Sequence, residues 1–296
     1  MSEAVLDERE FYEYLPDDDP YTALPALELA DLKPAYKGKP MVSYLMSTWN
    51  RQAQLARSLE SLARQTWREF EVLLVDDGST QDIETVADLF KPYLQIRYYR
   101  LERESWHSCP SRAFRYLLPK VTGDIIAIAH PEILLHPEAM GYIYRGLTGK
   151  LTDAHYGGLS DLVKGPWYWV TLKPCFLDQS WYDWLDYVDW HGDFEKFYDI
   201  PHFNYIGGLG GFPNAYHAAM KGYHWWYVGA ALKDCPIWRD LPEFDGHALI
   251  DMWMMDYRRL NDIVDITPEK VLCMHQPHLT TAIAREGEQD EKLSIS

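Results

Sequence analysis

The sequence predicts an α/β fold with a mostly parallel central sheet flanked by helices. From Met41 onward, short apolar and β-branched runs alternate with amphipathic stretches, which is the pattern of repeated β-α-β units. The chain has 296 residues, of which 47% are hydrophobic and 15% aromatic, so it can bury one large core. Ligands of such sheets collect at the carboxyl ends of the strands, and functional side chains are expected there.

The predicted elements follow one another closely in the first half of the chain. Predicted strands and helices alternate in the order Met41 to Met46 (strand), Gln52 to Ala63 (helix), Glu71 to Val75 (strand), Ile83 to Phe90 (helix), Gln95 to Arg100 (strand) and Ile125 to Ala129 (strand). Later, apolar spacing predicts helices over Lys233 to Leu241 and His247 to Leu260. We interpret residues 1–40 as an acidic arm on the domain, 41–278 as the domain, with halves 41–132 and 133–278, and 279–296 as a flexible tail.

Composition limits both the classes of binding partner and the cellular compartment. The net charge of −17 repels nucleic-acid phosphates and anionic lipids, so no nucleic-acid partner is expected. No apolar run is long enough to span a bilayer. The four cysteines are far apart and form no C-x-x-C pair, which favours a reducing, cytoplasmic setting. The composition is compatible with a homo-oligomer.

Two strand ends carry side chains suited to a nucleoside. The second predicted strand ends in Asp76-Asp77-Gly78, two carboxylates and a turn that can grip a ribose or a base N–H. Alone, such a sequence is more often a turn or a helix cap. The first predicted strand ends in hydroxyls, an aromatic ring, an amide and a guanidinium, which can stack on a base and bond its edges; these are Ser47, Thr48, Trp49, Asn50 and Arg51.

Together these segments resemble the family 2 glycosyltransferases. The shared pattern is an apolar strand, a T/S-aromatic-N-R turn, a helix ending in Gln65-Thr66, and a strand followed by D-D-G-S. The match is close over residues 41–132 and holds in outline over 41–278. The resemblance implies the GT-A fold and a nucleotide-sugar donor, most often a UDP-sugar. It further implies that Ser47, Trp49 and Asp77 hold the nucleoside and that Arg112 lies near the diphosphate.

The resemblance also implies a metal site, with one departure. The family carries a D-x-D motif after a strand, whereas this chain has His130-Pro131-Glu132. Glu132 is the first expected ligand, and His130 replaces the first acid. A late H-x-x-H segment implies His278, or else His275, as a further ligand. Because imidazole favours Mn²⁺, Zn²⁺ or Co²⁺ over Mg²⁺, we expect a divalent cation, with Mn²⁺ ahead of Mg²⁺.

An inverting transferase needs a carboxylate that accepts the proton of the acceptor hydroxyl. The family supplies it from an [ED]-D pair at the start of a helix, which is reduced here to Ile250-Asp251. Asp251 is therefore the candidate base, and Asp245 and Asp256 are the alternatives. Taken alone, Asp251 also fits an acid that interacts with a helix dipole.

The middle of the chain is rich in aromatic residues, which can stack on sugar faces or simply pack in a core. Seven of the twelve tryptophans lie between residues 167 and 226. We expect a glycan or another hydroxyl acceptor here. Gly207-Gly208 and Gly229-Ala230 are the two alternatives for the small-residue turn expected under the donor sugar. The acceptor and sugar candidates are Trp181, Trp184, Trp190, Gly207 and Gly208.

Two other classes of function share parts of this pattern. A non-catalytic nucleotide-sugar or glycan-binding module would explain the replacement of an acid by His130 and the reduced Ile250-Asp251 pair. A sugar-nucleotide pyrophosphorylase would need a glycine-rich phosphate loop near the first strand, and the sequence lacks one there. The first alternative stays open, and the second is disfavoured.

Overall fold

The fold is organised around an eight-stranded sheet. A computed structural model describes residues 24–102, 110–151, 154–157, 167–172, 174–176, 228–243, 249–268 and 272–276. In chain order the elements are β1 (Val42–Thr48), α1 (Gln52–Ala63), β2 (Phe70–Asp76), α2 (Ile83–Phe90), β3 (Ile96–Arg100), α3 (Pro110–Leu117), β4 (Ile125–Ala129), β5 (Ile133–Leu135), α4 (Ala139–Leu147), β6 (Ala154–Gly157), β7 (Trp167–Leu172), β8 (Pro174–Phe176), β9 (Val228–Leu232), α5 (Pro236–Asp240), α6 (Leu249–Leu260), β10 (Ile263–Pro268) and β11 (Cys273–His275).

The sheet has the strand order β3-β2-β1-β4-β9-β7-β10-β6. Strands β1 to β4 are parallel, β9 is antiparallel to both β4 and β7, and β10 is parallel to β7. Hence β1, β2, β3, β4, β7 and β10 all end at one edge, which we call the carboxyl edge. A second sheet of three strands has the order β5-β11-β8. The predicted α/β fold with a mostly parallel central sheet is confirmed.

The central strands are buried on both faces, as parallel strands covered by helices must be. Alternate residues of β1 therefore point into two different apolar clusters. Tyr44 and Met46 pack in the cluster that includes α1, and Leu45 packs in the cluster that includes α3. Strand β2 is buried along its whole length, which explains the continuous apolar run Val72 to Val75 within it.

The predicted elements of the first half are confirmed to within two residues at each end. The helix predicted over Lys233 to Leu241 is wrong at its start, because β9 continues to Leu232 and a turn follows. Helix α5 begins only at Pro236, which suits a first turn because it has no N–H to satisfy. The small sheet was not predicted, since its strands have three residues each and show no periodicity.

The described part of the N-terminal stretch lies against the domain. Leu27, Leu29 and Leu32 pack on the apolar cluster beside α1. The Arg64 guanidinium donates to the carbonyl of Glu28 at 2.9 Å. In the described ranges, no helix is both long and apolar enough to cross a membrane.

Candidate nucleotide and metal site

The ends of β1 and β2 meet at the carboxyl edge. Thr48 lies opposite Asp76 in the parallel register, and the Asp77 N–H donates to the Thr48 carbonyl at 2.9 Å. The next turn is tied in the same way, because the Asn50 N–H donates to the Ser79 hydroxyl at 2.9 Å. The two segments predicted to hold a nucleoside are therefore brought together.

Asn50 connects these segments through an unusual backbone conformation. Its φ of 48° lies in the left-handed region, which asparagine tolerates better than most residues. In that conformation the side-chain oxygen accepts from the Thr80 N–H at 2.8 Å and from the Thr80 hydroxyl at 3.2 Å. The Asn50 side chain thus fixes the two turns relative to each other.

We expect Asn50→Ala to lower the free energy of unfolding by about 2 kcal/mol, because it removes the hydrogen bonds from Thr80 and strains the backbone. Asn50→Gly loses the same hydrogen bonds but adopts this φ freely, so it should cost roughly 1 kcal/mol less. Urea denaturation of both variants measures the difference. Equal stability of the two variants would contradict a strained position at Asn50.

The two carboxylates of the D-D-G-S turn have different surroundings. Asp76 is fully buried and accepts from Arg100 Nη1 at 2.6 Å, from the Tyr98 hydroxyl at 3.1 Å and from the Ser79 N–H at 2.8 Å. Burial and then the nearby Asp76 carboxylate raise the pKa of Tyr98 to about 12, so its hydroxyl remains a donor. Three protein donors therefore hold the Asp76 carboxylate, which shapes the turn.

Asp77 contacts an arginine, which is a side chain that suits a phosphate site. Arg112 Nη1, from α3, lies 3.2 Å from Asp77 Oδ1 and also donates to the Glu102 carbonyl at 3.2 Å. An open cavity of about 400 Å³ adjoins this turn and is lined by Gly78, Arg100, Leu101 and Glu102. Asp77 and Arg112, which the resemblance places around the donor, are thus in contact beside an opening.

Glu132 lies at the same edge, after the end of β4. Arg51 Nε donates to Glu132 Oε1 at 3.1 Å, which joins the first nucleotide segment to the predicted metal corner. The Glu132 carbonyl accepts from the Gln276 N–H at 2.7 Å, and Gln276 Nε2 donates to the Gln54 carbonyl at 3.1 Å. The segment after β11 therefore packs directly on Glu132 and on the start of α1.

The described residues include two side chains of a type that binds divalent cations. They contain no group of three His, Cys, Asp or Glu side chains placed to hold an ion. His130 and Glu132 are two donors of suitable type, and a nucleotide-bound cation commonly takes only one or two protein ligands because phosphate oxygens complete the shell. The residues therefore fit a divalent cation that arrives with a diphosphate, provided that Arg51 releases Glu132. His278 lies outside the described residues, and of His275 only the backbone, in β11, is described.

The topology places the first turn of α6 at the carboxyl edge. Strand β10 ends at this edge, and α6 enters β10 through a tight turn at the opposite edge, so α6 must begin near the carboxyl edge. Asp251 is the third residue of α6. Asp256 is half exposed and paired with Arg259 at 3.1 Å, and Asp245 lies outside the described residues.

The acceptor and sugar candidates all lie outside the described residues; they are Trp181, Trp184, Trp190, Gly207 and Gly208. The strands that flank this segment end and begin at the carboxyl edge, where Leu172 of β7 pairs with Val228 of β9. The alternative Gly229-Ala230 turn is wrong, since both residues lie inside β9. A side chain at Gly229 would overlap the Trp169 indole, which accounts for the glycine.

Sequence reasoning missed the partners that organise the site. Arg100 and Tyr98, which hold Asp76, lie on β3 more than twenty residues away, and Gln276 reaches Glu132 from the far end of the chain. Only the carboxyl-end position of Arg100 on a predicted strand could have indicated a role at this edge.

Comparison with known proteins agrees with this geometry. Residues 43–154 match the profile described as Glycosyl transferase family 2. A PGL/p-HBAD biosynthesis glycosyltransferase of Mycobacterium bovis is 46% identical over 58 residues, which is 20% of this chain and 23% of that protein. An uncharacterized glycosyltransferase of Rickettsia felis is 30% identical over 97 residues, or 33% of this chain and 15% of that protein. The chain thus matches less than a quarter of the length of these two relatives.

Solved structures show the same fold at low sequence identity. S. aureus TarS 1-349 in complex with UDP-GlcNAc has a TM-score of 0.56 and 14% identity, covering 82% of this chain and 60% of that one. The mannosyltransferase PcManGT from Pyrobaculum calidifontis, in complex with GDP-Man and Mn²⁺, has a TM-score of 0.53 and 16% identity, covering 89% of this chain and 64% of that one. Residues 43–154 therefore match glycosyl transferase family 2, and the chain shares the GT-A fold of these solved structures.

Proposed function

We propose that this chain is an inverting glycosyltransferase that moves a sugar from a nucleotide-diphosphate donor, with a UDP-sugar favoured, to a hydroxyl of a glycan or similar acceptor. The observation that carries the proposal is the convergence at the carboxyl edge of three segments: the turn after β1, Asp77 after β2, and Glu132 after β4. The complexes of TarS with UDP-GlcNAc and of PcManGT with GDP-Man support a nucleotide-sugar donor on this fold.

The nucleoside half of the site follows from the chemistry of the side chains. Ser47 and Trp49, beside the end of β1, supply a hydroxyl and a ring for the nucleoside, and Asp77 accepts from a base or ribose donor group. Arg112 offsets phosphate charge with a planar, two-pronged donor. Asp76 and Asn50 hold the two turns in place and contribute through that geometry.

The metal half involves Glu132 and His130, with His278 as a further ligand. A divalent cation, Mn²⁺ ahead of Mg²⁺, would offset charge on the diphosphate as it leaves. Arg51 would release the Glu132 carboxylate and turn toward the incoming phosphates. The presence of Mn²⁺ in the PcManGT complex supports a cation on this fold.

Asp251 acts as the general base in this proposal. The start of α6 at the carboxyl edge places its backbone on the side of the sheet where the donor would bind. A base-activated hydroxyl that displaces the diphosphate in one step inverts the configuration at the anomeric carbon. No covalent intermediate is needed, so a second carboxylate nucleophile is not required.

The proposal includes a reducing, cytoplasmic compartment. Cys235 and Cys273 are buried free thiols, and burial raises the pKa of Cys235 to about 11, so this thiol is unreactive at neutral pH. Thiols that are buried and unbridged support a reducing, cytoplasmic compartment.

A panel of nucleotide-sugars, each assayed for release of nucleoside diphosphate with Mn²⁺, with Mg²⁺ and with chelator, tests the activity. We expect turnover with at least one UDP-sugar and only in the presence of metal. Release of no nucleotide from any donor, with calorimetric binding of UDP intact, would instead identify a nucleotide-binding module without catalysis.

Asp77→Ala should weaken UDP binding by about 1–3 kcal/mol, because it leaves a buried donor on the nucleoside unpaired. Asp82→Ala is the matched control, since Asp82 is an exposed helix cap on the same loop, accepting from the Thr85 N–H at 3.1 Å. Isothermal titration of UDP with metal present measures both. Unchanged affinity in Asp77→Ala would remove Asp77 from the nucleoside site.

A further inference from the structure

A fully buried ion pair anchors α6 to the sheet. Arg258 of α6 and Asp265 of β10 both have no exposed surface, and Arg258 Nη1 lies 2.7 Å from Asp265 Oδ2. The same guanidinium nitrogen lies 3.3 Å from the Thr171 hydroxyl of β7, which in turn donates to Asp265 Oδ1 at 2.8 Å. One helix and two strands thus share a closed polar cluster inside an apolar core.

Neighbouring groups fix the Arg258 side chain in one orientation. Its Nε donates to the Met254 carbonyl of its own helix at 3.2 Å. Its guanidinium carbon lies 5.1 Å from the centre of the Trp169 ring. Trp169 is fully buried and has room only because residue 229 is a glycine. These contacts hold the guanidinium against Asp265 of β10 and Thr171 of β7.

Stability alone does not require such a pair. Desolvation of two buried charges offsets most of their attraction, and apolar residues of similar size often stabilise a core equally well. An ion pair instead restrains the position of the helix along its axis. Its hydrogen bonds break when the helix slides by one residue, or about 1.5 Å.

The buried apolar side chains of α6 leave its axial position loosely specified. Among its described residues these are Ile250, Met254 and Met255. Methionine is flexible and packs in several ways, so two of these three side chains tolerate a small shift of the helix. Trp253 and Tyr257 pack on the same cluster but are only partly buried, and the Tyr257 hydroxyl donates to Asp240 at the end of α5 at 2.5 Å. The Arg258 cluster adds the directional restraint toward the sheet, because it joins α6 to both β7 and β10.

We propose that Arg258, Asp265 and Thr171 are positioning residues that fix α6 along its axis and so place the turn carrying Asp251 at the carboxyl edge. Asp251 precedes Arg258 by seven residues, or about 10 Å of helix. The proposal rests on the proposed function, in which Asp251 is the base. It assigns these three residues no contact with the substrate.

Two variants separate positioning from stability. Asp265→Asn leaves the Arg258 charge without its partner, and it should lower both stability and kcat. The double variant Arg258→Met with Asp265→Leu replaces the pair by apolar groups, so it should recover the thermal midpoint. We expect its kcat to stay at least about tenfold below wild type, the size of effect that a misplaced catalytic group produces, while KM for the donor and the affinity for UDP stay unchanged.

Glu71→Gln is the matched control. Glu71 is a buried acid paired with Arg97 at 2.7 Å, at the end of the sheet opposite the carboxyl edge. This variant should lose stability and keep wild-type kcat. Recovery of both stability and kcat in the apolar double variant would overturn the positioning role, as would an equal loss of kcat in Glu71→Gln.

Hydrogen exchange gives a readout that does not depend on activity. Amides of α6 should exchange at least about tenfold faster in the apolar double variant than in wild type, while amides of α1 stay protected. If the wild-type chain shows no turnover with any donor, the proposed function fails. Hydrogen exchange then still tests whether the Arg258 cluster anchors α6. Equal protection of α6 in wild type and in the double variant would overturn this anchoring.

Discussion

Asp251→Asn is expected to lower kcat by about a hundredfold or more while donor and metal binding stay near wild type. The amide has nearly the same shape as the carboxylate but cannot accept the proton of the acceptor hydroxyl. The backbone position of Asp251, in the first turn of α6 at the carboxyl edge, supports this role. Steady-state kinetics, together with calorimetry of UDP and Mn²⁺, separates chemistry from binding.

Asp256→Asn is the control for that experiment. Asp256 lies on the same helix but is half exposed and paired with Arg259, so its loss should leave kcat near wild type. NMR of the product should show inverted anomeric configuration. Normal turnover of Asp251→Asn, or a product with retained configuration, would remove Asp251 from the role of base.

Glu132→Ala should lower metal-dependent turnover by on the order of a hundredfold or more, because the cation contributes several kcal/mol of charge stabilisation at the leaving diphosphate. Binding of Mn²⁺ in the presence of UDP, followed by electron paramagnetic resonance, should weaken in parallel. Removal of Glu132 also leaves Arg51 without the carboxylate that lies 3.1 Å from it.

Glu138→Ala serves as the control for Glu132, since it removes a nearby acid at the start of α4 that is half exposed and 3.9 Å from His136. It should leave metal affinity and turnover unchanged. Full activity of the wild-type chain in excess chelator would show that the His130 replacement marks an enzyme that does not need metal.

The strands and helices of the first half were predictable because their local sequence carries the information. Continuous apolar runs such as Val72 to Val75 specify a buried parallel strand, and Pro or Gly marks several ends, such as Gly78 after β2 and Pro92 after α2. The start of α5 at Pro236 was also encoded locally, but the helical spacing of apolar residues between Lys233 and Leu241 obscured it.

The residues of the candidate site can be named from the sequence, but the different surroundings of these residues cannot. The sequence presents Asp76 and Asp77 as equivalent. Their difference arises from β3, whose register with β2 brings Arg100 beside Asp76. Similarly, the Arg51–Glu132 contact joins residues 81 positions apart, and no local pattern determines such a pairing.

The anchoring cluster of α6 illustrates the same limit. Arg258 and Asp265 are seven residues apart and would be read from sequence as an exposed charged pair around a turn. Both are fully buried because α6 packs on β7 and β10, where Thr171 and Trp169 of β7 contact Arg258. The sequence contains the residues, and tertiary packing decides whether they face solvent.

The crystal structure of the chain with UDP and Mn²⁺ tests the proposed site most directly. We expect the nucleoside beside Trp49 with a hydrogen bond to Asp77, the cation on Glu132 and the diphosphate, and Arg51 moved away from the Glu132 carboxylate to which it now donates at 3.1 Å. A nucleotide bound away from the carboxyl edge, or a Glu132 that remains paired with Arg51 while the cation sits elsewhere, would contradict the site.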